Sequence, residues 1–242
     1  MRAGEDRRAP ATGGERVSPG GLAGRRSRFY LLLAAAFARP TPGVLRRLGD
    51  EGTRQAARAL ARAVSLPSLE VALASAGALP RRWRRQDPGR VSGALRAEYQ
   101  RLFVGPYHLE APPYESCYRD GGGMVMGQAA VEVRRSYAEA GIALHPDVRD
   151  LPDHIAFELR FLGLLARDEG RLWRAGRRAD LAACLDHQAR FLADHLAGWV
   201  GPFAQRVREA DRSRFYARLA AATAALVAAD LTLVGALREA VP

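Results

Sequence analysis

Leu151-Pro152-Asp153-His154-Ile155-Ala156-Phe157-Glu158-Leu159 opens the segment on which the reading of the fold turns. From about residue 152 to 169 the spacing predicts a helix with two apolar stripes. Ile155, Leu159 and Leu162 form one; Phe157, Phe161 and Leu164 form the other. A helix that is hydrophobic nearly all round belongs in the middle of a bundle. Asp153 falls in the predicted first turn, where a carboxylate caps free N–H groups and suits the helix dipole. The neighbouring Asp153 and His154 also invite an acid–base reading. Adjacent helical side chains point about 100° apart, so these two do not face each other, and no third member of a catalytic set stands at a recognisable spacing.

Working outward, the rest of the chain favours helix as well. Of its 242 residues, 48% are hydrophobic, and isoleucine occurs only at Ile142 and Ile155. Few β-branched side chains and many unbranched ones leave χ1 freedom unspent, which favours helix. The expected fold is therefore all-α: a single-domain helical bundle of about ten helices with one long functional loop. Residues 1–27 are rich in Arg, Gly and Pro and are expected to form a flexible tail; residues 28–242 form the helical domain. Helices are expected from Arg28 to Ala38, from Thr41-Pro42 through Leu48, over 51–64 and 68–79 (with Ser68 as cap), and from Asp87-Pro88 onward. Further helices are expected at about 127–140, 152–169, 177–197, 201–210 and 213–239.

Residues 105–126 break the pattern. Gly105-Pro106, Pro112-Pro113 and Gly121-Gly122-Gly123 exclude regular structure and predict a long loop carrying Tyr107, Tyr114 and Tyr118. Long loops inside compact domains are usually functional.

All 37 basic residues are arginine, and the net charge is +11. A nucleic-acid binder is one reading of that excess. The distribution favours a compositional bias, because the arginines scatter over the helices without an aromatic-interleaved run. Residues 147–158 reverse the sign locally, with Asp147, Asp150, Asp153 and Glu158 against Arg149 alone. Such an acidic rim could receive a cationic peptide.

Cys117 and Cys184 make no disulfide framework, so free thiols in a reducing compartment are expected. Cys184 with His187 could supply two metal ligands, but a zinc site needs three or four protein ligands, so no metal is expected. No phosphate loop, nucleophile elbow or His-Glu-x-x-His pair occurs. No apolar run is expected to reach the roughly 20 residues of a membrane span. Arg25-Arg26 before Phe29-Tyr30-Leu31-Leu32-Leu33 resembles a twin-arginine export signal, yet Arg39-Pro40-Thr41-Pro42 reads as a helix stop, and a first core helix is preferred.

Three further runs carry a family resemblance. Glu98-Tyr99-Gln100-Arg101-Leu102-Phe103-Val104-Gly105-Pro106, then Pro112-Pro113-Tyr114-Glu115-Ser116-Cys117-Tyr118, then Pro152-Asp153-His154 with Glu158-Leu159, resemble the successive signatures of the TorD/DmsD/NarJ chaperones. His195, Trp199 and Phe215-Tyr216 fit the same context. The resemblance implies a cytoplasmic, system-specific chaperone and no enzyme. It would bind the twin-arginine leader peptide or apo-form of a molybdopterin-dependent oxidoreductase, assisting cofactor insertion, assembly and export proofreading. It implies a peptide-binding pocket of Tyr30, Tyr99, Leu102, Phe103, Tyr107, Tyr114, Gly127, Asp153 and His154. No cofactor, nucleic acid or stable membrane insertion is implied, and the protein would be a monomer or homodimer. Where the family often has tryptophan, this chain has Tyr99, Tyr107 or Tyr114, and its strong positive charge departs from acidic leader-binding members. The alternative is a basic helical nucleic-acid-binding protein.

Overall fold

The computed structural model describes residues 18–38, 40–76, 86–105, 109–119, 127–145, 147 and 149–241. Among them the chain is helical, and the sole strand-like feature is an isolated antiparallel bridge between Tyr114 and His154. In chain order the α-helices are α1 (Pro19–Ala38), α2 (Pro42–Gly49), α3 (Glu51–Ala63), α4 (Pro67–Ala76), α5 (Pro88–Tyr99) and α6 (Ser116–Arg119). There follow α7 (Gln128–Glu139), α8 (Ile155–Ala175), α9 (Arg178–Phe191), α10 (Ala197–Ala210) and α11 (Phe215–Ala240).

The all-α expectation is met, and α8 sits where its two stripes require. Both stripes meet protein: Ile155, Leu159 and Leu162 are buried, and so is Phe161, with Phe157 packed against the core. α8 runs beyond the expected residue 169 to Ala175, where Gly176 takes a left-handed φ of 65° and closes the last turn. α1 lies along α8 at close range, because the contact is lined by small residues. The Ser27 hydroxyl donates to the Gly163 carbonyl at 2.7 Å. A Cβ added at Gly163 would stand 2.8 Å from Leu31 Cγ, so only glycine admits α1 this closely.

Helix starts follow local chemistry. Thr41 accepts from the Val44 N–H, Asp50 from Thr53, and Asp87 from Gly89 and Arg90. Ser68 is not a cap: α4 begins one residue earlier, with Pro67 in the first turn, where its missing N–H costs nothing.

Three other expectations change. α1 begins at Pro19, not Arg28, so residues 19–27 are helical; the rest of the expected tail, residues 1–17, lies outside the described residues. Within α1, Arg26 is 1% exposed. Its guanidinium meets Asp230 of α11, Glu169 of α8 (2.6 Å) and Gln188 of α9 (2.6 Å). Tyr30 donates its hydroxyl to the same Asp230 at 2.8 Å. Half of the signal-like arginine pair is thus an internal tie among four helices.

Second, the helices expected at 177–197 and 201–210 are one continuous run: α9, a π turn at Leu192–Leu196, and α10 through Pro202. Proline removes a helical donor. The carbonyl it orphans, four residues back, belongs to the exposed Gly198, where water can serve it.

Third, α11 is long and apolar enough to cross a membrane by length and composition, contrary to the expectation. It packs against α4, α9 and α10 and buries ten residues, among them the charged Asp230 that holds Arg26.

Candidate functional site

The Tyr114–His154 bridge brings two of the three sequence signatures together. Ile155 N–H donates to the Pro113 carbonyl at 2.8 Å, and Glu115 N–H donates to the Asp153 carbonyl at 3.0 Å. The Tyr114 ring meets the His154 ring edge-on at 5.2 Å. The Tyr114 hydroxyl donates to Asp150 Oδ1 at 2.9 Å, an atom that also accepts from the Leu151 N–H. Burial and the adjacent Asp150 charge push the Tyr114 hydroxyl above its ordinary range, so it stays a donor.

Capping chemistry is present, but His154 supplies it, not Asp153. α8 starts at Ile155, and His154 Nδ1 accepts from the Ala156 N–H at 3.0 Å. Accepting at Nδ1 requires the neutral Nε2–H tautomer, and burial lowers the imidazole pKa to about 4, which keeps it neutral. Asp153 lies just before the helix, fully buried, and its Oδ2 accepts from the Ser116 N–H at 3.0 Å. One residue of the pair therefore begins α8 and the other fixes α6. Neither orients the other, so geometry removes the acid–base dyad.

Beneath the bridge lies a polar cluster assembled from distant segments. Glu115 is fully buried between Arg119 and His195, whose Nδ1 is 3.0 Å from Glu115 Oε2. His195 Nε2 stands 3.3 Å from Ser136 Oγ. Glu158 accepts from Trp199 Nε1–H at 3.2 Å. Burial first, and the nearby Glu115 charge second, raise Glu158 well above the ordinary carboxylate range, which favours its protonated form. Tyr137 donates its hydroxyl to the Pro152 carbonyl at 2.9 Å. Among the described residues, Asp153 Oδ1, Glu158 Oε1 and Ser116 Oγ are buried without a hydrogen-bond partner.

Six of the nine residues expected to line a pocket fall into three groups. Tyr114, Asp153 and His154 meet at the bridge. Tyr99 and Phe103 belong to an aromatic cluster with Phe37, Phe203 and Tyr216, at ring separations of 5.2–6.1 Å. Tyr30 lies apart in the Arg26 tie. Tyr30, Leu102, Phe103, Asp153 and His154 are buried; Tyr99, Tyr114 and Gly127, which caps α7, are partly exposed. Tyr107 lies outside the described residues.

Sequence reasoning assigned no role to Glu115 or His195, and took Asp150 and Glu158 only as parts of an acidic rim, to which the buried Glu158 does not belong. His195 lies 80 residues from Glu115 and Trp199 lies 41 from Glu158, so spacing alone carried no signal. The loop expected over residues 105–126 contains the short α6, held by Asp153. Cys184 is a buried core thiol, donating to the Leu165 carbonyl at 3.4 Å and raised to about 11 by burial. No group of three or more potential ligands that could hold a metal occurs among the described residues.

Comparison with known proteins adds independent information. Residues 48–205 match the family described as "Nitrate reductase delta subunit". Chaperone protein TorD of Vibrio cholerae is 29% identical over 147 residues, covering 61% of this chain and 65% of that protein. The Haemophilus influenzae protein named "Probable Tat proofreading chaperone DmsD" is 27% identical over 126 residues, covering 52% of this chain and 55% of its own. The match thus spans just under two thirds of the length of the first of these relatives. A solved chain from Archaeoglobus fulgidus, described as a "Putative Redox Enzyme Maturation Protein", aligns over 82% of this chain and 91% of its own, with 25% identity and a TM-score of 0.44.

Proposed function

This chain belongs to the nitrate reductase delta subunit family, and from that premise we propose that it is a system-specific molecular chaperone. Its client is the leader or apo-form of a molybdopterin-dependent oxidoreductase, which it assists through cofactor insertion, assembly and export proofreading. The observation that carries this reading is the Tyr114–His154 bridge, at which two signatures shared with such chaperones meet in space. The relatives named TorD and DmsD support the same class.

The site's chemistry suits binding. Its aromatic and acidic groups are held by neighbours, and the Asp153–His154 pair has no shared proton to transfer. The buried residues Leu102, Phe103, Asp153 and His154 shape the site from behind, while Tyr99 and Tyr114 present surface. The protein works as a monomer or homodimer in the cytoplasm, where both free, buried cysteines suit the redox conditions. Many surface arginines pair with carboxylates, as in Arg54–Glu51, Arg171–Asp168, Arg177–Asp180 and Arg238–Asp186. That interspersion favours a protein client over a nucleic-acid backbone.

Isothermal titration of the full chain against the leader and the apo-form of a molybdoenzyme encoded nearby tests the proposal. Saturable binding of either is expected; binding of neither would overturn it.

A further inference from the structure

A groove of about 580 Å³ opens beside the bridge, and none of its lining belongs to the nine residues of the expected pocket. α7 contributes Arg134, Tyr137 and Ala138, and the segment after it contributes Gly141, Ile142, Leu144 and Asp150. Ala138, Gly141 and Ala143 are exposed, and Ile142 and Leu144 are half-buried, so the wall facing solvent is apolar. Tyr137, fully buried in the floor, fixes the groove to the site by its bond to the Pro152 carbonyl.

The rim supplies the charge. Asp150 is exposed, and two donors, the Tyr114 hydroxyl and the Leu151 N–H, hold its carboxylate at Oδ1. No cation pairs with Asp150 among the described residues, although the chain carries 37 arginines. Asp147, also exposed, adds a second negative charge nearby, shared with His145 at 3.4 Å. A carboxylate oriented in advance loses little entropy when a guanidinium arrives, and an adjacent apolar wall removes water from the pair.

We propose that this groove receives a client segment in which arginine is followed by a bulky apolar side chain. The guanidinium sits on Asp150, and the apolar group lies along Ala138, Gly141, Ile142 and Leu144. Arg134, one turn before Ala138 on α7, disfavours the reverse placement. The proposal rests on the chaperone reading and adds the place and chemistry of contact. With Asp153 and His154 buried as scaffold, Asp150 is the acid that meets the client.

The test is fluorescence anisotropy with two labelled peptides. One carries adjacent arginines followed by phenylalanine and leucines; its twin has glutamine in place of the arginines. The full chain is compared with Ala138→Trp, which fills the groove, and Asp150→Asn, which removes the charge. Both positions are exposed, and unchanged melting of both variants confirms the fold. Ala138→Trp is expected to weaken the arginine peptide by roughly tenfold or more. Asp150→Asn is expected to weaken it by about fivefold, the scale of one partly exposed ion pair, and to leave the glutamine twin unchanged. Wild-type affinity in both variants would overturn the groove and leave the chaperone reading standing. So would binding of apo-oxidoreductase without binding of the arginine peptide. Binding of neither peptide nor any apo-oxidoreductase would overturn both.

Discussion

Replacing Arg26 by alanine should destabilise this protein more than the same change at its sequence neighbour Arg25. The side chain is 1% exposed and touches three partners on three other helices. Its removal leaves Glu169 and Asp230, at 0% and 2% exposure, as two buried carboxylates without a cation. Burial opposes the guanidinium charge, but Asp230 and Glu169 more than offset it, and the net effect raises the Arg26 pKa. Breaking a buried ion pair on one side costs about 3–5 kcal/mol. For a chain of this size each kcal/mol shifts the melting temperature by roughly 2–4 °C, so a fall of roughly 6–20 °C is expected. Arg25 is only partly buried, and Arg25→Ala should cost less than about 1 kcal/mol. Circular dichroism melts of the two variants beside the wild type decide it. An Arg26→Ala protein melting within about 2 °C of wild type would refute the reasoning and detach α1 from the bundle's energetics.

His154→Asn should flatten the acid side of the stability curve. The unfolded imidazole takes a proton near its usual 6.5, the folded one only near 4, because burial opposes the charge. Between those values the unfolded state holds the extra proton, so wild-type stability falls as pH falls, by up to about 1.4 kcal/mol per pH unit. Asparagine can still accept from Ala156 N–H, so urea titrations from pH 4 to 7 should show that slope reduced; equal slopes would contradict it. The raised Glu158 acts in the opposite direction, losing stability as pH rises, and is common to both proteins. Gly163→Ala should cost about 1–3 kcal/mol in denaturant midpoints, because its Cβ would stand 2.8 Å from Leu31 Cγ. Gly93→Ala, with nothing within 4 Å, should be neutral or stabilising in the same assay. Asp153→Ala strands the buried Ser116 N–H and should cost about 1–3 kcal/mol while keeping the helical signal. It should also weaken client maturation; full maturation by a folded variant would remove Asp153 from the site.

Much of the fold was legible because helix formation is local. The two stripes of α8 and the caps at Thr41 and Asp87 are short-range patterns that survive folding. What escaped were choices made between distant segments. Asp153 looked like a cap because nothing in sequence shows that the Ser116 N–H, 37 residues earlier, would take its carboxylate and leave the cap to His154. Arg26 looked like part of an exposed tail because its partners lie 143 to 204 residues away. The run from α9 into α10 looked like two helices because only the fold shows that Gly198, whose carbonyl Pro202 leaves without its helical donor, is exposed. The site was legible to the same degree: its motifs could be read, but which residues face outward could not, because burial is decided by packing.

Recognition of an unfinished enzyme is tested most directly by one comparison. The full chain is titrated by calorimetry with a purified molybdopterin oxidoreductase client, first in the apo-form and then loaded with cofactor. The proposal predicts saturable binding of the apo-form and weaker or no binding of the loaded one. Equal affinity for both forms, or none for either, would contradict the account.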